Sequence, residues 1–499
     1  MEKYATNSCI CLTQPPLKMF FWVFKALLQT KIVIKSAMAS RAFAVCTHGA
    51  PCILIAVVIN MNHKSIFLQE DRLPQFNPLT QNTRADVLVV GGGIAGILTA
   101  RLLCDAGYDV LLLEANRLCH GQTGNTTAKI TVQHGFCYQD IAKRHGNAGA
   151  AIFAEANRTA LERYRKMAQN VSCHFEERAF YAYEKSDART LERELEVLAA
   201  IGMKASWEMP SELPFPAVGA IRVPGQAQFD PVAFLAAQLS GIRICENTPV
   251  AGLFEGGAVT ASGKHVWAKH TVITTHFPFL RWHGGYPFKM YQSRSYVLAL
   301  ENAPLPRGMW ADGSGNGVSL RSFGEYLLLG GGAHRTGTGG GGYGVLEEFA
   351  AARYPGARMV SRFAAQDCMT LDGMPYIGVY ARGLKNVYVA TGFGKWGMTS
   401  AMLSSMILSD LIREKPNPYA AFFAPSRQMP PLRFLRETGA VLKHYLRPTA
   451  PRCPHLGCAL RYNRQEHSWD CPCHGSRFTP EGRLLDAPAV RDLKKQSRK

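Results

Sequence analysis

A glycine-rich turn between two short apolar segments constrains this chain more than any other feature. The apolar run Asp86–Val90 leads directly into Gly91-Gly-Gly-Ile-Ala-Gly96, and a helical pattern follows. A second apolar run, Val110–Leu113, ends at Glu114, which is placed to accept a hydrogen bond from a ribose hydroxyl. A strand, a G-x-G-x-x-G turn, a helix, a strand and an acid in this order are typical of a dinucleotide-binding unit. The sequence therefore predicts such a site on this first strand.

Each part of the turn has its own role in that prediction. Gly91 allows a tight turn, Gly93 lets the backbone approach a pyrophosphate, and Gly96 lets the helix pack closely on the strand. The first helical residues, Ile94 and Ala95, lie where unpaired N–H groups and the positive end of the helix dipole face the phosphates. These residues are accordingly predicted to bind the cofactor.

The first unit fits both NAD and FAD, and two later segments favour FAD. The loop Gly121–Lys129 is small and rich in hydroxyl groups, as expected of a loop that passes near a flavin. Asn386–Thr399 forms another strand, glycine loop and helix, so a second helix N-terminus can face the flavin. Two such units far apart in sequence indicate one cofactor held by a discontinuous domain. The further predicted contacts are Thr123, Gly124, Thr126, Thr127, Val250, Gly394, Lys395, Gly397, Met398 and Thr399.

These segments resemble the D-amino-acid-oxidase-like FAD-dependent oxidoreductases, which include glycine and sarcosine oxidases and amine dehydrogenases. The resemblance runs from about Arg84 to Ile412 and also rests on Gly225–Pro231 and Asp372–Gly378. It implies an α/β fold, α+β overall, in which a Rossmann-like FAD-binding domain is interleaved with an antiparallel substrate domain. It also implies oxidation of a small amine or amino-acid-like substrate by hydride transfer to the flavin.

Four residues are candidates for the catalytic pocket. Lys395, in the second glycine loop, is predicted to place a positive charge near the flavin ring. His276 follows a predicted strand, where it either faces the flavin or caps the strand end. Arg294 and Tyr296 lie on a predicted strand of the substrate sheet, where they either bind a substrate carboxylate or face outward.

Cysteine and histidine crowd together near the C-terminus. Cys453-Pro-His-Leu-Gly-Cys458 and Cys471-Pro-Cys-His-Gly-Ser476 each place thiol groups and an imidazole close together in a loop. Thiolate and imidazole ligands suit zinc or an iron–sulfur cluster. A zinc ribbon would usually use C-x₂-C pairs, which these two boxes lack.

The two boxes match a Rieske domain, in which two cysteines hold one iron of a [2Fe–2S] cluster and two histidines hold the other. The resemblance implies a small all-β domain with Cys453, His455, Cys471 and His474 as cluster ligands. It further implies a disulfide between Cys458 and Cys473. From about Ser65 to Leu493 the chain resembles a small group of bacterial FAD-dependent oxidoreductases that carry a C-terminal Rieske domain.

The domain division that we predict combines these segments. The FAD-binding domain comprises residues 61–171, 222–280 and 362–425, the substrate domain 172–221 and 281–361, the linker 426–450, and the Rieske core 451–499. Residues 1–60 are basic and lack the ordered parts of a secretory signal. We expect translation to start near Met61, with loose membrane association through residues 1–60 as the alternative.

FAD and a Rieske cluster on one chain predict an electron relay. FAD accepts two electrons at once, whereas the cluster passes one at a time. We therefore predict a cytoplasmic, dehydrogenase-like enzyme that delivers electrons to an external one-electron acceptor. Alternatives are an oxidase that uses O₂ beside a regulatory cluster, and a redox sensor without a small substrate. The formal net charge of +19 fits an acidic acceptor, and the basic residues form no nucleic-acid-binding motif.

Overall fold

The computed structural model describes residues 33–36, 42–46, 53–56, 64–68, 72–280, 283–447 and 451–493. The chain divides into two units, residues 1–61 and 62–499. In the first unit three short strands form an antiparallel sheet: β1 (Val33–Ser36), β2 (Ala42–Cys46) and β3 (Ile53–Ala56). The predicted start at Met61 lies outside the described residues. No helix among the described residues combines the length and apolarity needed to cross a bilayer.

The second unit contains the remaining described elements. Its strands are β4 (Thr83–Val90), β5 (Val110–Leu113), β6 (Lys129–Ile130), β7 (Glu176–Glu184), β8 (Ser206–Glu208), β9 (Gly219–Gln228), β10 (Arg243–Cys245), β11 (Val250–Phe254), β12 (Gly257–Thr260), β13 (His265–Ile273), β14 (Met290–Glu301), β15 (Met309–Asp312), β16 (Ser319–Phe323), β17 (Tyr326–Arg335), β18 (Arg358–Thr370), β19 (Tyr376–Val379), β20 (Val387–Thr391), β21 (Arg461–Asn463), β22 (Ser468–Asp470), β23 (Arg477–Phe478) and β24 (Leu484–Asp486). Its helices are α1 (Ile94–Asp105), α2 (Cys137–Met167), α3 (Ala188–Ala200), α4 (Pro231–Ala236), α5 (Tyr286–Lys289), α6 (Tyr343–Arg353), α7 (Gly397–Ile412), α8 (Ala420–Phe423) and α9 (Pro431–Tyr445), with a short 3₁₀ turn at His283–Gly285.

An eight-stranded sheet carries both glycine-rich turns. Its strand order is β10-β5-β4-β13-β12-β11, with β20 beside β13 and β19 beside β20. Strands β5, β4, β13 and β20 run parallel, and Leu113, Val90, Ile273 and Val389 lie side by side at or near their carboxyl ends. Ligands of such sheets bind beyond the carboxyl ends of the strands. The predicted strand, turn, helix and strand are confirmed in β4, α1 and β5.

A nine-stranded sheet forms the second layer. Its order is β18-β14-β17-β16-β15-β7-β9-β6, with β8 beside β9. Most neighbours are antiparallel, whereas β15 and β7 run parallel. Strands β9 and β18 run through residues 222 and 362, so two of the predicted domain boundaries fall inside strands of this sheet.

The C-terminal part is a four-stranded antiparallel sheet, β21-β22-β23-β24, preceded by helix α9. This helix occupies most of the segment that was predicted to be a linker. Pro431 stands at the start of the helix, where its missing N–H is not needed. Lys443 and His444 in the last turn complement the helix dipole.

Candidate cofactor and electron-transfer sites

A cavity of about 840 Å³ lies where the parallel strands end. Ligand pockets range from about 300 to 1,000 Å³, so this one is large. Its wall includes most of the predicted FAD contacts: Gly91, Gly93, Ile94, Ala95, Glu114, Thr123, Thr126, Thr127, Val250, Gly394, Lys395, Gly397 and Met398. Gly96, Gly124 and Thr399 are not part of the wall. The sheet topology thus brings segments from across the chain to one site.

The first glycine turn has no room for a side chain at Gly91, Gly92 or Gly96. A Cβ on Gly96 would stand 1.9 Å from the carbonyl oxygen of Gly91, so helix and turn touch backbone to backbone. Glu114 accepts a hydrogen bond from the N–H of Gly92 at 2.6 Å, and burial raises the pKa of this carboxyl. Gly92 was missed, because the G-x-G-x-x-G pattern leaves that position open; its Cβ would meet Leu118 Cδ2 at 2.4 Å. This cradle fits a dinucleotide.

The second glycine loop presents a cation to the cavity. Lys395 adopts a φ of +72° between Gly394 and the start of α7. Its Nζ donates to the carbonyl oxygen of Gly315 at 3.0 Å. Burial lowers the pKa of Lys395, while the carboxylate of Asp367 opposes that change. Asp367 also lies on the cavity wall, and sequence reasoning did not find it.

A second lysine on the wall was also missed as a site residue. Lys129 on β6 is 8% exposed and lines the cavity. Its Nζ donates to the hydroxyls of Thr127 at 3.2 Å and Ser319 at 3.3 Å. Burial, together with the nearby Arg321, lowers the pKa of Lys129 to about 7. The only sequence signal was its place in the hydroxyl-rich loop.

His276 lies on the cavity wall three residues after β13. Its φ of +65° is unusual for a residue with a side chain, and its Nδ1 lies 3.4 Å from the Sγ of Cys368. Burial lowers the pKa of His276 to about 4, so the imidazole is neutral at pH 7. His276 thus contributes to the cavity wall, and a role beside the flavin stays a prediction.

The C-terminal loops bring the four predicted cluster ligands together. Cys453, His455, Cys471 and His474 are each at most 3% exposed. The two imidazole rings lie 5.1 Å apart between centroids, and the Cys453 and Cys471 thiols are hydrogen-bonded. The cysteines of the other pair, Cys458 and Cys473, form a disulfide and so cannot serve as thiolate ligands.

The imidazole of His474 shows how these loops fit a metal cluster. Its Nε2 lies 3.1 Å from the carbonyl oxygen of Pro287, to which it can donate. Its Nδ1 is buried and has no hydrogen-bond partner within the described part of the chain. Burial lowers the pKa of His474 to about 3, so this nitrogen keeps a lone pair at neutral pH. Two thiols and buried imidazoles suit a mixed cysteine and histidine cluster.

The cluster loops pack on the part of the chain that forms the cavity. Gln292 Nε2 donates to the carbonyl oxygen of His474 at 3.0 Å, and Gln366 Nε2 donates to that of Gly475 at 2.9 Å. Phe277, which follows His276 in the chain, lies 6.1 Å from the His474 ring between centroids. Residues 484–487 of the C-terminal sheet also contribute to the cavity wall.

Comparison with known proteins decides the family. The model of the DAO family, "FAD dependent oxidoreductase", matches residues 86–411, and that of the Rieske [2Fe-2S] domain matches residues 426–497. The chain is a DAO-family FAD-dependent oxidoreductase with a C-terminal Rieske domain. This DAO–Rieske protein is 32% identical over 484 residues to the Rieske 2Fe-2S iron-sulfur protein YhfW of Bacillus subtilis (strain 168). The aligned region covers 85% of this chain and 95% of YhfW. The predicted enzyme class and the cofactors FAD and [2Fe–2S] are confirmed.

Solved structures share the fold of the DAO–Rieske protein over its first part. Glycine oxidase from Geobacillus kaustophilus superposes with a TM-score of 0.59 at 20% identity, over 70% of this chain and 100% of that one. L-amino acid deaminase from Proteus vulgaris superposes with a TM-score of 0.58 at 16% identity, over 72% of this chain and 99% of that one. L-proline dehydrogenase from P.horikoshii superposes with a TM-score of 0.56 at 18% identity, over 70% of this chain and 98% of that one. The predicted fold class is confirmed.

Arg294 of the DAO–Rieske protein requires a correction, whereas Tyr296 lies on the cavity wall. Both were predicted as candidates to bind a substrate carboxylate, but the carboxylate that both contact is that of Glu466 in the Rieske domain. Arg294 Nε donates to Glu466 Oε2 at 2.9 Å, and the Tyr296 hydroxyl donates to the same oxygen at 3.0 Å. Burial would raise the pKa of Glu466, but Arg294 and Arg477 lower it to about 2. Both residues therefore join the Rieske domain to the substrate sheet.

Proposed function

We propose that this protein oxidises a small amine or amino-acid-like substrate at FAD and passes the electrons singly through its [2Fe–2S] cluster to an external acceptor. When bound, FAD accepts two electrons together, whereas the cluster carries one at a time. The substrate class is suggested by fold neighbours that are named glycine oxidase, L-amino acid deaminase and L-proline dehydrogenase. An acidic acceptor and a cytoplasmic location stay predictions.

One observation carries the proposal: the two cofactor sites adjoin within one folded unit. The His474 ring lies 6.1 Å from Phe277, and the next residue back along the chain, His276, lies on the cavity wall. The two neighbouring residues His276 and Phe277 therefore extend from the cavity wall to the cluster loops, which gives an electron a short path between the two sites.

Each site residue has a role in this proposal. Cys453, His455, Cys471 and His474 hold the cluster. The glycine turn would hold the cofactor pyrophosphate near the N-terminus of α1, and Glu114 would accept a hydrogen bond from a ribose hydroxyl. The residues of the second glycine loop face the flavin.

The charged side chains on the cavity wall complete the assignment. Lys395 places a positive charge beside the flavin, and Asp367 lies near enough to balance it. Lys129 offers a cation for a substrate carboxylate, which is the role that Arg294 cannot fill. His276 stays neutral and shapes the wall between the cavity and the cluster loops. Hydride transfer to a flavin depends mainly on how the substrate is positioned. The charged side chains of the wall would position it.

Anaerobic mixing with a panel of small amines and amino acids tests the proposal. We expect at least one of them to bleach the flavin absorbance and to produce the electron paramagnetic resonance signal of a reduced cluster. In a parallel reaction in air, hydrogen peroxide formed in step with turnover, without cluster reduction, would indicate an oxidase instead. A flavin that no such compound bleaches would indicate a redox sensor.

A further inference from the structure

Helix α9 and its C-cap carry a stripe of leucines that points away from the protein. Leu432, Leu435, Leu442 and Leu446 recur at helical spacing, and they are 80%, 65%, 55% and 69% exposed. A surface helix normally turns its apolar stripe toward the core. Contiguous exposed apolar surface of this kind marks an interaction site.

The opposite face of α9 is already occupied by the protein. Glu437 accepts a hydrogen bond from Arg335 Nη1 at 2.8 Å, and the carbonyl oxygen of Val441 lies 3.8 Å from the Sγ of Cys473. The helix is thus fixed on the cluster loops by its polar face. Its leucine stripe cannot turn inward without breaking these contacts.

The charges that flank the stripe are all basic. Arg436, Lys443 and Arg447 are exposed on the outer side of the helix and its end. The single acid of the helix, Glu437, is 7% exposed and pairs with Arg335. An occupant of the stripe must therefore offer apolar contact together with negative charge.

We propose that α9 lies flat on the surface of a lipid bilayer that contains anionic phospholipid. The four leucines would enter the boundary between head groups and acyl chains, and the basic side chains would contact lipid phosphates. A second copy of the chain fits less well, because both copies would present the same basic flank. A folded protein would need a groove for this protruding stripe, whereas a fluid bilayer needs none. The proposal does not depend on the proposed function.

Docking in this way would also orient the Rieske domain. The inner face of α9 touches Cys473, and a helix is about 10 Å across. The disulfide side of the cluster loops would therefore face the bilayer across one helix, while His455 and His474 face the FAD-binding part.

Sedimentation with lipid vesicles tests the proposal on the holoprotein. We expect binding to vesicles of phosphatidylglycerol and phosphatidylcholine at low salt, and little binding to phosphatidylcholine alone. The double variant Leu435→Gln/Leu442→Gln should lower the partition coefficient by about tenfold or more. Arg436→Gln/Lys443→Gln should lower it at low salt and remove most of its salt dependence.

Matched variants on other helices keep the test specific. Val345 on α6 is 50% exposed, and Val345→Gln should bind vesicles like the wild type. Arg163→Gln/Lys166→Gln on α2 removes two exposed charges without touching α9. Flavin and cluster absorbance show that each variant is folded. Absence of wild-type binding to anionic vesicles, or equal binding by the leucine variant, overturns the proposal. A dimer that the leucine variant abolishes, without vesicle binding, also overturns it.

Discussion

The aromatic ring of Phe277 lies 6.1 Å from the imidazole of His474 and 6.5 Å from that of His455. These two imidazoles are the proposed ligands of one iron, and Phe277 is covalently joined to His276 on the wall of the FAD cavity. The contact places the protein part of the cluster site directly against the protein part of the flavin site. It gives the electron relay a physical path within one chain.

Replacement of His474 should abolish the cluster without affecting FAD binding. His474→Ala removes a proposed iron ligand, and we expect the mixed-ligand cluster signal to disappear while FAD stays bound. Electron paramagnetic resonance of the reduced protein and the flavin absorbance measure the two effects. His467→Asn, at an exposed turn of the same domain, should change neither. A full cluster signal in His474→Ala would refute the ligand assignment.

Glu466 should hold the Rieske domain to the substrate sheet. Glu466→Gln leaves Arg294 buried without its carboxylate, and loss of one partner of a buried ion pair costs about 3–5 kcal/mol. Denaturant unfolding, followed by cluster absorbance, measures the loss. Asp109→Asn, which breaks the half-exposed Arg243–Asp109 pair, should cost less than about 1 kcal/mol.

The same pair predicts a pH dependence. The folded-state pKa of Glu466 is lowered from its usual 4.5 to about 2. The contribution of Glu466 is therefore complete above pH 4.5 and is lost as the pH falls toward 2. The difference in stability between wild type and Glu466→Gln should consequently be the same at every pH between about 5 and 8. A difference that changes within this range would contradict the assignment.

Gly96 should be essential for the flavin site. In Gly96→Ala the new Cβ would stand 1.9 Å from the Gly91 carbonyl oxygen, so the phosphate-binding turn must shift. We expect the affinity for FAD to fall by about tenfold or more, as measured by flavin content and by FAD titration of the apoprotein. Gly344→Ala in helix α6, where a Cβ meets no atom within 4 Å, is the control. Equal flavin content in both variants would contradict the close approach of residue 96 to the Gly91 carbonyl oxygen.

Lys129 should set the pH dependence of substrate capture. Its pKa is about 7, so the cation that binds a substrate carboxylate is lost as the pH rises above that value. We expect kcat/KM for an amino-acid substrate to fall above pH 7 in the wild type, and to be low and flat in this range in Lys129→Met. The decarboxylated amine should show little difference between the two proteins. An unchanged pH profile in Lys129→Met would show that another group binds the carboxylate.

Local patterns account for what the sequence predicted well. The turn at Gly91 and the two C-terminal boxes depend on neighbouring residues, so spacing and residue type were enough to predict them. The ion pair of Arg294 with Glu466 joins residues 172 positions apart, and no local pattern indicates such a partner. Lys129 is similar, because its burial depends on Ser319, which is 190 positions away.

Helix α9 shows a different limit of prediction from the sequence. The prolines around residues 416–448 favoured an extended linker, yet Pro431 begins a helix of 15 residues. Proline is compatible with the first turn of a helix and unfavourable only further in. The outward leucine stripe became visible only when the inner face of the helix was seen against the cluster loops.

The central claim is that substrate electrons pass from the flavin to the cluster within one chain. The most direct measurement is rapid anaerobic mixing with a reducing substrate, with flavin absorbance and freeze-quenched electron paramagnetic resonance recorded on the same time course. The account predicts that the cluster signal rises as the reduced flavin gives up one of its two electrons, that an added one-electron acceptor is needed to remove the second, and that His474→Ala keeps flavin reduction but loses the cluster signal. A flavin that is reduced and reoxidised only by O₂ while the cluster stays oxidised would contradict it.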